Sequence, residues 1–434
     1  MRRMMMTLGC VCAAGWVWAA GELDDARLAG RTTRAIPFYA AGEEMVFTLQ
    51  LKGVDTLPPE TYFVKWERTG DDGKKEEGTV PASLTEPLVI KTSLDRPGFV
   101  RILAHVVDKD GKRYVRTDGD KRGDNRWVFF DGGAGADIEK LQGVPEPADF
   151  DAFWAKQKAR LAEVPLKATR VETPGKSPNV KIYAVTIDCA GPRPVTGYLT
   201  IPNGGQKYPA RLETHGYGTN PQRAPQWGPQ DCVVLNINAH GYELGKDKAY
   251  YDAFFAGITS NGQGYAFDPK QNADPEAAYF NGMALRVMRG LQYLKSLPEW
   301  NGKDLWASGG SQGGLQTIWA ASLDPQVTRA DSSVTWCCDM GGTELNRNRG
   351  GWYVHWVPAL GYYDPINLCR RIPKSCRVTI PRAGLGDYTC PPSGLAILFN
   401  NMTCPKTIKW VQGSTHGFVP SADQQVLTVE MPAQ

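Results

Sequence analysis

Short apolar runs alternate with helical segments from residue 147 to the end of this 434-residue chain, and this alternation constrains the fold more than any other feature. A long helix is predicted over residues 274–296, where apolar residues recur at helical spacing. The predicted strands lie at residues 180–187, 194–201, 209–213, 232–237, 304–308, 330–335, 377–383 and 407–411. Strands that alternate with helices form a mostly parallel sheet covered by helices, so we predict an α/β domain over residues 147–434.

The first part of the chain has a different pattern, with short alternating runs between Gly, Pro and Asp turns. In residues 99–108, for example, Ile102, Ala104 and Val106 share one face, and His105 lies on the other. We predict a small all-β sandwich (Ig-like) module over residues 22–130, in which His105 is structural. The glycine-rich residues that follow predict a linker over 131–146.

The N-terminal residues have the features of a secretory signal peptide. Arg2 and Arg3 precede an apolar stretch, and a small-x-small cleavage pattern ends at Ala19. A buried N-terminal helix and a lipoprotein signal at Cys10 are the alternatives. The prediction is a cleaved segment 1–19 and a secreted or periplasmic protein. No other apolar run is long enough for a membrane span.

The net charge bears on the partners of this protein, and the cysteines bear on disulfides and metal sites. A formal net charge of +3 gives no electrostatic reason to expect a nucleic-acid partner. Ten cysteines become eight if Cys10 and Cys12 leave with the signal peptide, and an exported protein can form disulfides. Cys369 and Cys376 flank a short loop that a disulfide could close. Cysteine and histidine spacing indicates no zinc site, so neither a metal nor another cofactor is predicted.

The glycine-rich sequence GGSQGG at residues 309–314 carries the strongest indication of chemistry. It follows a predicted strand and precedes a predicted helix over residues 315–323, which is the setting of a nucleophile elbow. Gly309 and Gly313 lack the Cβ atoms that would collide where such a strand and helix meet. Ser311 is therefore the predicted nucleophile.

A serine nucleophile needs a histidine base and a carboxylate that orients it, and α/β-hydrolases supply them in the order serine, acid, histidine. His416 follows the last predicted strand and is our candidate base, whereas His355 fits a lid or substrate wall. Asp387 follows the strand at 377–383 and is our candidate acid. Asp339 is the second candidate, and Asp387 could instead cap the helix that follows it.

The oxyanion that forms during acyl transfer needs two N–H donors. The residue after the nucleophile, Gln312, is expected to supply one of them. The loop that begins at His215 is expected to supply the other, from Tyr217. His215 itself is expected to orient this loop.

These motifs resemble the acetyl xylan esterase and cephalosporin C deacetylase family, which is carbohydrate esterase family seven. The resemblance rests on GGSQGG at 309–314, HGY at 215–217, DYTCPPS at 387–393 and PADFDAFW at 147–154, and it covers roughly residues 145–425. It implies the α/β-hydrolase fold, a Ser311–Asp387–His416 triad, oxyanion amides from Gln312 and Tyr217, and a ring-like oligomer.

The sequence departs from the family pattern at two places. Ala239-His240-Gly241 replaces the usual Arg-Gly-Gln, and Gly417 replaces the usual Glu after the base. The triad is unaffected by either change, whereas the pocket shape, the substrate and the assembly depend on them.

The expected function is a secreted serine esterase that removes O-acetyl groups from carbohydrates through an acyl-enzyme. Trp227, Tyr265, Trp352 and Trp356 are candidate sugar-stacking residues, with core or lid packing as the alternative for each. A secreted serine peptidase of the prolyl oligopeptidase type shares the fold and triad order. A carbohydrate-binding protein with a vestigial hydrolase domain is the third alternative.

Overall fold

The computed structural model describes residues 21–117, 126–420 and 425–434. The predicted signal peptide, residues 1–19, lies outside the described residues. Among the described helices, none has the length and apolar character that a membrane crossing requires.

The N-terminal module contains two sheets that pack face to face. A three-stranded sheet has the order β1-β3-β6, and a five-stranded sheet has the order β2-β8-β7-β4-β5. The strands are β1 (Arg27–Thr32), β2 (Phe38–Tyr39), β3 (Met45–Lys52), β4 (Tyr62–Gly70), β5 (Glu76–Pro81), β6 (Leu88–Thr92), β7 (Gly98–Asp108) and β8 (Phe129–Ala136). All pairs except β2 with β8 are antiparallel.

Alternating burial along the strands forms the core of this module. On β7, the side chains of Ile102, Ala104 and Val106 are fully buried, whereas Leu103 and His105 on the other face are partly exposed. The predicted period of two on this strand is therefore confirmed.

The glycine-rich segment that we predicted to be part of a linker is a buried strand. Residues 131–136 form most of β8, and every residue of β8 is buried. The glycines permit this position because a Cβ on Gly133 would collide with the carbonyl oxygen of Val100 on the adjacent strand. The amide of Gln412 completes the contact, because it accepts from the Gly133 N–H and donates to the Gly133 carbonyl, both at 2.8 Å. The module is thus joined directly to the second domain.

The second domain is built on a ten-stranded sheet with the order β18-β17-β16-β15-β14-β12-β13-β11-β10-β9. Its strands are β9 (Ala168–Glu172), β10 (Val180–Ile187), β11 (Val195–Pro202), β12 (Tyr208–Thr214), β13 (Val233–Ile237), β14 (Trp300–Gly310), β15 (Arg329–Ser333), β16 (Arg377–Gly384), β17 (Lys406–Val411) and β18 (Val426–Met431). The six central strands are parallel, and in sheet order they are β17, β16, β15, β14, β12 and β13. The strands outside them, β18 at one edge and β11, β10 and β9 at the other, are antiparallel to their neighbours. This is the mostly parallel sheet that the sequence predicts.

Helices lie between these strands along the chain, and several of them pack on the sheet or on one another. They are α1 (Phe150–Ala162), α2 (Lys248–Gly257), α3 (Pro269–Asn272), α4 (Tyr279–Ser296), α5 (Gln312–Leu323), α6 (Pro365–Leu368) and α7 (Pro392–Asn401). The predicted start of α4 at Asp274 is wrong. Residues 274–278 form a separate turn, because Ala278 is extended at φ −54° and ψ 136°, and the helix begins at Tyr279.

The suggested disulfide between Cys369 and Cys376 is absent. The cysteines in the described part of the chain all have free thiols. The thiol of Cys369 lies near the carbonyl oxygens of Ile366 and Leu398, whereas that of Cys376 lies near its neighbour Arg377, so the two side chains make separate contacts.

Candidate active site

Ser311 lies at the sharp turn between β14 and α5. Its backbone has φ 57° and ψ −120°, a conformation that is unfavourable for a residue with a side chain. Hydrogen bonds on both sides hold it, from the Ser311 N–H to the Ser333 carbonyl at 2.9 Å and from the Trp336 N–H to the Ser311 carbonyl at 3.1 Å. This is the geometry of a nucleophile elbow.

The glycines beside Ser311 have a steric purpose. A Cβ on Gly309 would lie 2.6 Å from the backbone of Gly313, and one on Gly313 would lie 2.6 Å from the carbonyl oxygen of Thr214. Side chains at either position would force the strand and the helix apart. The prediction about these glycines therefore agrees with the close packing of β12, β14 and α5.

The side chains of Ser311, His416 and Asp387 are connected by hydrogen bonds. His416 Nε2 lies 3.1 Å from Ser311 Oγ, and His416 Nδ1 lies 3.0 Å from Asp387 Oδ2. The carboxylate is fully buried, and its Oδ1 accepts from the N–H groups of Thr389 at 3.1 Å and Cys390 at 2.9 Å. These bonds fix the carboxylate and direct it at the imidazole.

Cys390 Sγ lies close to the same groups, and one ligand atom each from Asp387, Cys390 and His416 falls within 4.8 Å of the others. The chemistry of the set fits a metal poorly. Burial raises the pKa of the Cys390 thiol well above its usual range, and a metal binds the thiolate. The carboxylate oxygens also already accept hydrogen bonds. The arrangement fits a proton relay.

The two predicted oxyanion donors border the serine. Gln312 is the first residue of α5, where backbone N–H groups have no partner within the helix. A Cβ built on Gly216 would lie 3.9 Å from Ser311 Cβ, so the peptide that carries the Tyr217 N–H lies beside the nucleophile. His215 Nδ1 lies 3.2 Å from the Gly216 carbonyl in this same peptide. Burial lowers the pKa of His215, which favours the neutral ring.

Tyr265, a predicted sugar-stacking residue, lies behind this loop instead. Its side chain is 1% exposed and cannot stack on a substrate, so that prediction is wrong. Its hydroxyl accepts from the Gly218 N–H at 3.1 Å and donates to Gln312 Oε1 at 2.7 Å. Its ring stacks on that of Tyr217, with 4.1 Å between centroids. Tyr265 therefore connects Tyr217 and Gln312, the residues that carry the two predicted oxyanion amides.

His240 supports the same loop from the other side, a role that the sequence did not indicate. Its Nε2 lies 3.1 Å from the Gly218 carbonyl, and its Nδ1 lies 2.7 Å from the Tyr279 hydroxyl. Burial lowers the pKa of His240 to about 3, so the ring is neutral over the range in which an esterase would operate. The signal available in the sequence was the replacement of Arg-Gly-Gln by Ala239-His240-Gly241.

Of the remaining predicted aromatic residues, Trp352 lies nearest the loop at residues 215–218. We call this segment the oxyanion loop, because it carries the predicted Tyr217 donor. Its indole is 40% exposed, contacts Tyr217 edge-on at 5.0 Å between centroids and stacks on Trp336 at 5.2 Å. Trp227 is exposed in the loop between β12 and β13. Trp356 is half-buried, packs against the core, and has its ring close to Gly341 and Gly361. Of these three tryptophans, Trp352 is the one whose ring contacts that of Tyr217.

The alternative acid and base lie elsewhere. Asp339 forms a buried ion pair with Arg347. His355 is exposed, and its ring contacts that of Tyr353 at 5.2 Å. Neither side chain is part of the hydrogen-bonded chain that contains Ser311.

Comparison with known proteins identifies the family of this chain. The chain matches the acetyl xylan esterase (AXE1) family over residues 138–344 and 353–429. It belongs to the acetyl xylan esterase family. The resemblance stated from the sequence motifs is confirmed, and β1–β8 lie outside the match.

Individual relatives of this acetyl xylan esterase family member support the assignment. The acetyl esterase Axe7A of Xylanibacter ruminicola is 31% identical over 283 residues, which are 60% of this chain and 61% of that protein. The chain thus matches less than two thirds of this relative's length. The acetyl xylan esterase from Paenibacillus sp. R4 is 25% identical, with a TM-score of 0.56 over 65% of this chain and 94% of that chain.

A second solved structure bears on the fold. Acetyl xylan esterase 1 from Thermoanaerobacterium sp. JW/SL YS485 is 22% identical, with a TM-score of 0.54 over 65% of this chain and 93% of that chain. The predicted α/β-hydrolase fold is confirmed.

Proposed function

We propose that this protein is a serine esterase that removes O-acetyl groups from carbohydrates through an acyl-enzyme on Ser311. The observation that carries the proposal is the hydrogen-bonded chain Ser311–His416–Asp387 at a nucleophile elbow, in a member of the acetyl xylan esterase family. The names of the relatives, an acetyl esterase and an acetyl xylan esterase, support acetylated carbohydrates as the substrate class.

In the first half of the reaction, Ser311 Oγ attacks the carbonyl carbon of the acetyl ester while His416 Nε2 takes the hydroxyl proton. Asp387 holds the tautomer in which Nδ1–H points at the carboxylate and stabilises the imidazolium that forms. The tetrahedral intermediate then collapses, the ester C–O bond breaks, and His416 gives the proton to the departing sugar hydroxyl. This step leaves an acetyl group on Ser311.

In the second half, His416 takes a proton from water, and the resulting hydroxide attacks the acetyl carbon. The N–H groups of Gln312 and Tyr217 stabilise the negative oxygen of both tetrahedral intermediates. The N-terminal end of α5 adds a positive electrostatic potential at the same place, because the peptide dipoles of the helix align. The second tetrahedral intermediate collapses, the bond between the acetyl carbon and Ser311 Oγ breaks, and His416 returns the proton to Oγ. Acetate leaves, and the Ser311 hydroxyl is regenerated.

Export is part of the proposal. Arg2, Arg3 and the apolar stretch that ends near Ala19 support a cleaved signal peptide. Acetylated plant polysaccharides are too large to enter a cell, so a secreted or periplasmic location suits such a substrate. Mass spectrometry of the N-terminus of the protein from its native host tests this part, and an intact N-terminus would contradict it.

The test of the reaction is acetate release from acetylated xylan, acetylated xylo-oligosaccharides and acetylated monosaccharides. The wild type is compared with Ser311→Ala and with the matched control Ser322→Ala, whose hydroxyl donates to the Ile318 carbonyl inside α5. We expect release by the wild type and the control and loss in Ser311→Ala. Peptide hydrolysis without acetate release would favour the peptidase, and glycan binding without turnover would favour the binding protein.

A further inference from the structure

The N-terminal module contacts two segments of the candidate active site. We call residues 384–391, which carry Asp387, the acid turn, and residues 346–357, which carry Trp352, the aromatic loop. The family match begins at residue 138, so nothing in the family assignment accounts for a module that lies against these segments.

Arg101 of β7 makes the first contact. Its guanidinium donates to both carboxylate oxygens of Asp131 on β8, at 2.8 Å and 2.6 Å, and lies 4.4 Å from the ring centroid of Tyr388 in the acid turn. The Arg101 side chain is 22% exposed and that of Asp131 is 5% exposed, so this pair is largely shielded from water. Paired with a carboxylate and stacked on a ring, the guanidinium is fixed in one orientation.

The backbone of the acid turn has no room to move towards the module. A Cβ on Gly386 would collide with the carbonyl oxygen of Asp131. Tyr388 is also buried, and its carbonyl accepts from the Gly350 N–H of the aromatic loop at 2.8 Å. Tyr388 directly follows Asp387, so a shift of Tyr388 would shift the carboxylate that orients His416.

Asp71 of the module makes the second contact, with the aromatic loop. Its buried carboxylate accepts from the Asn348 N–H at 2.8 Å and from the Phe99 N–H of its own module at 2.9 Å. The side-chain amide of Asn348 also donates to the hydroxyl of Thr69 at 2.9 Å. The aromatic loop is therefore bonded to the module at Asn348 and to the acid turn at Gly350.

We propose that the N-terminal module is a working part of the esterase, in which Arg101 is a positioning residue for the acid Asp387 and acts through Tyr388. The proposal rests on the proposed function, because it takes Asp387 as the triad acid. A displacement of about 1 Å in a catalytic group can lower a rate by about 100-fold. We therefore expect the contact of Arg101 with Tyr388, the neighbour of Asp387, to have a measurable effect on kcat.

The test compares Arg101→Met with the control Arg116→Met in the full-length protein. Arg116 is a half-buried arginine of the module whose side chain donates to carbonyls of the module itself, those of Asp24, Ala26 and Trp127. With p-nitrophenyl acetate as substrate, we expect Arg101→Met to lower kcat at least about tenfold with little change in KM. Arg101→Lys should recover part of this loss, and it serves as the test variant if Arg101→Met does not fold.

A double-mutant cycle with Asp387→Asn separates positioning from general stability. If Arg101 acts through Asp387, Arg101→Met should change the residual rate of Asp387→Asn by less than about twofold. Rates are measured well below the unfolding midpoint of every variant. Equal kcat for Arg101→Met and Arg116→Met, or full multiplication of the two losses in the double variant, would overturn the proposal.

The same experiment keeps the two proposals distinguishable. A wild type that hydrolyses no ester and does not react with a fluorophosphonate contradicts the proposed function. A wild type that is active and an Arg101→Met variant that is equally active contradict only the role of the module.

Discussion

The ring of Tyr265 lies against that of Tyr217 with 4.1 Å between centroids and 9° between the ring planes, while its hydroxyl donates to Gln312 at 2.7 Å. One buried side chain thus connects Gln312 and Tyr217, the two residues whose backbone N–H groups we propose as oxyanion donors. Oxyanion donors act through their fixed positions, so we expect a residue that fixes both to contribute to catalysis without touching the substrate.

Removal of the Tyr265 hydroxyl should lower kcat and leave KM nearly unchanged. In Tyr265→Phe the ring still stacks on Tyr217, but Gly218 N–H and Gln312 lose a partner. We expect a loss of about tenfold in kcat, less than the 100- to 1000-fold cost of losing a whole donor.

The control for this prediction is Tyr363→Phe. Tyr363 is also fully buried, and its hydroxyl donates to the Pro275 carbonyl, away from the serine. It should lose stability and keep the wild-type kcat. A Tyr265→Phe enzyme with the kcat of Tyr363→Phe would contradict the role of the hydroxyl.

Trp352 should contribute to the binding of long substrates. Its exposed indole lies beside the oxyanion loop, and ring stacking is worth about 0.5–1.5 kcal/mol. In Trp352→Ala, KM for acetylated xylo-oligosaccharides should rise by about two- to tenfold, with little change for p-nitrophenyl acetate. Trp352→Phe should recover part of the difference. Equal increases in KM for both substrates would instead indicate a general disturbance of the site.

Gly313→Ala should damage the enzyme although alanine is the better helix former by about 1 kcal/mol. The added Cβ would lie 2.6 Å from the Thr214 carbonyl oxygen, and the backbone atoms around it cannot move separately from Ser311. We expect low soluble yield or a loss of about 100-fold in kcat. Gly257→Ala is the matched control, because Gly257 also lies in a helix, α2, and an added Cβ there has no atom within 4 Å, so the variant should behave as the wild type.

His105 should make the protein less stable in acid. Burial, with smaller effects of Arg113 and Arg101, lowers the pKa of His105 to about 3 in the folded state. The unfolded chain binds a proton at this position below about pH 6.5, whereas the folded chain does not. The stabilising contribution of the neutral ring is therefore present above pH 6.5 and is lost as pH falls towards 3.

The corresponding measurement is the free energy of unfolding of wild type and His105→Phe at pH 7 and pH 4.5. The wild type should lose up to about 2 kcal/mol more than the variant over this interval. Parallel losses would show that His105 does not contribute to the acid sensitivity.

Local signals in the sequence were sufficient for much of the fold and for the candidate triad. The alternation in β7 and the apolar runs of the central strands show which side chains of each strand are buried. Each of these patterns lies within the residues of a single strand. The elbow at Ser311 and the turn after Asp387 also have recognisable local sequence patterns, although contacts with other segments hold their geometry. These features could be predicted without knowledge of their neighbours.

The features that the sequence did not predict depend on contacts between distant segments. Glycine is unfavourable in a strand, yet β8 requires it because Val100 and Gln412 approach its backbone closely. Tyr265 contacts Gln312 across 47 positions of the chain, and no local pattern distinguishes such a tyrosine from a surface aromatic residue. The contact between Arg101 and Tyr388 likewise depends on how the two domains pack.

The most direct test of the account is to identify the residue that a fluorophosphonate modifies in the folded protein. Peptide mapping by mass spectrometry should find the label on Ser311, with labelling slowed at least about 1000-fold in His416→Ala and strongly in Asp387→Asn. Acetate release should be lowered in the same two variants, with a measurable residual rate in Asp387→Asn. Label on another serine, or release of acetate by Ser311→Ala at the wild-type rate, would contradict the central claim.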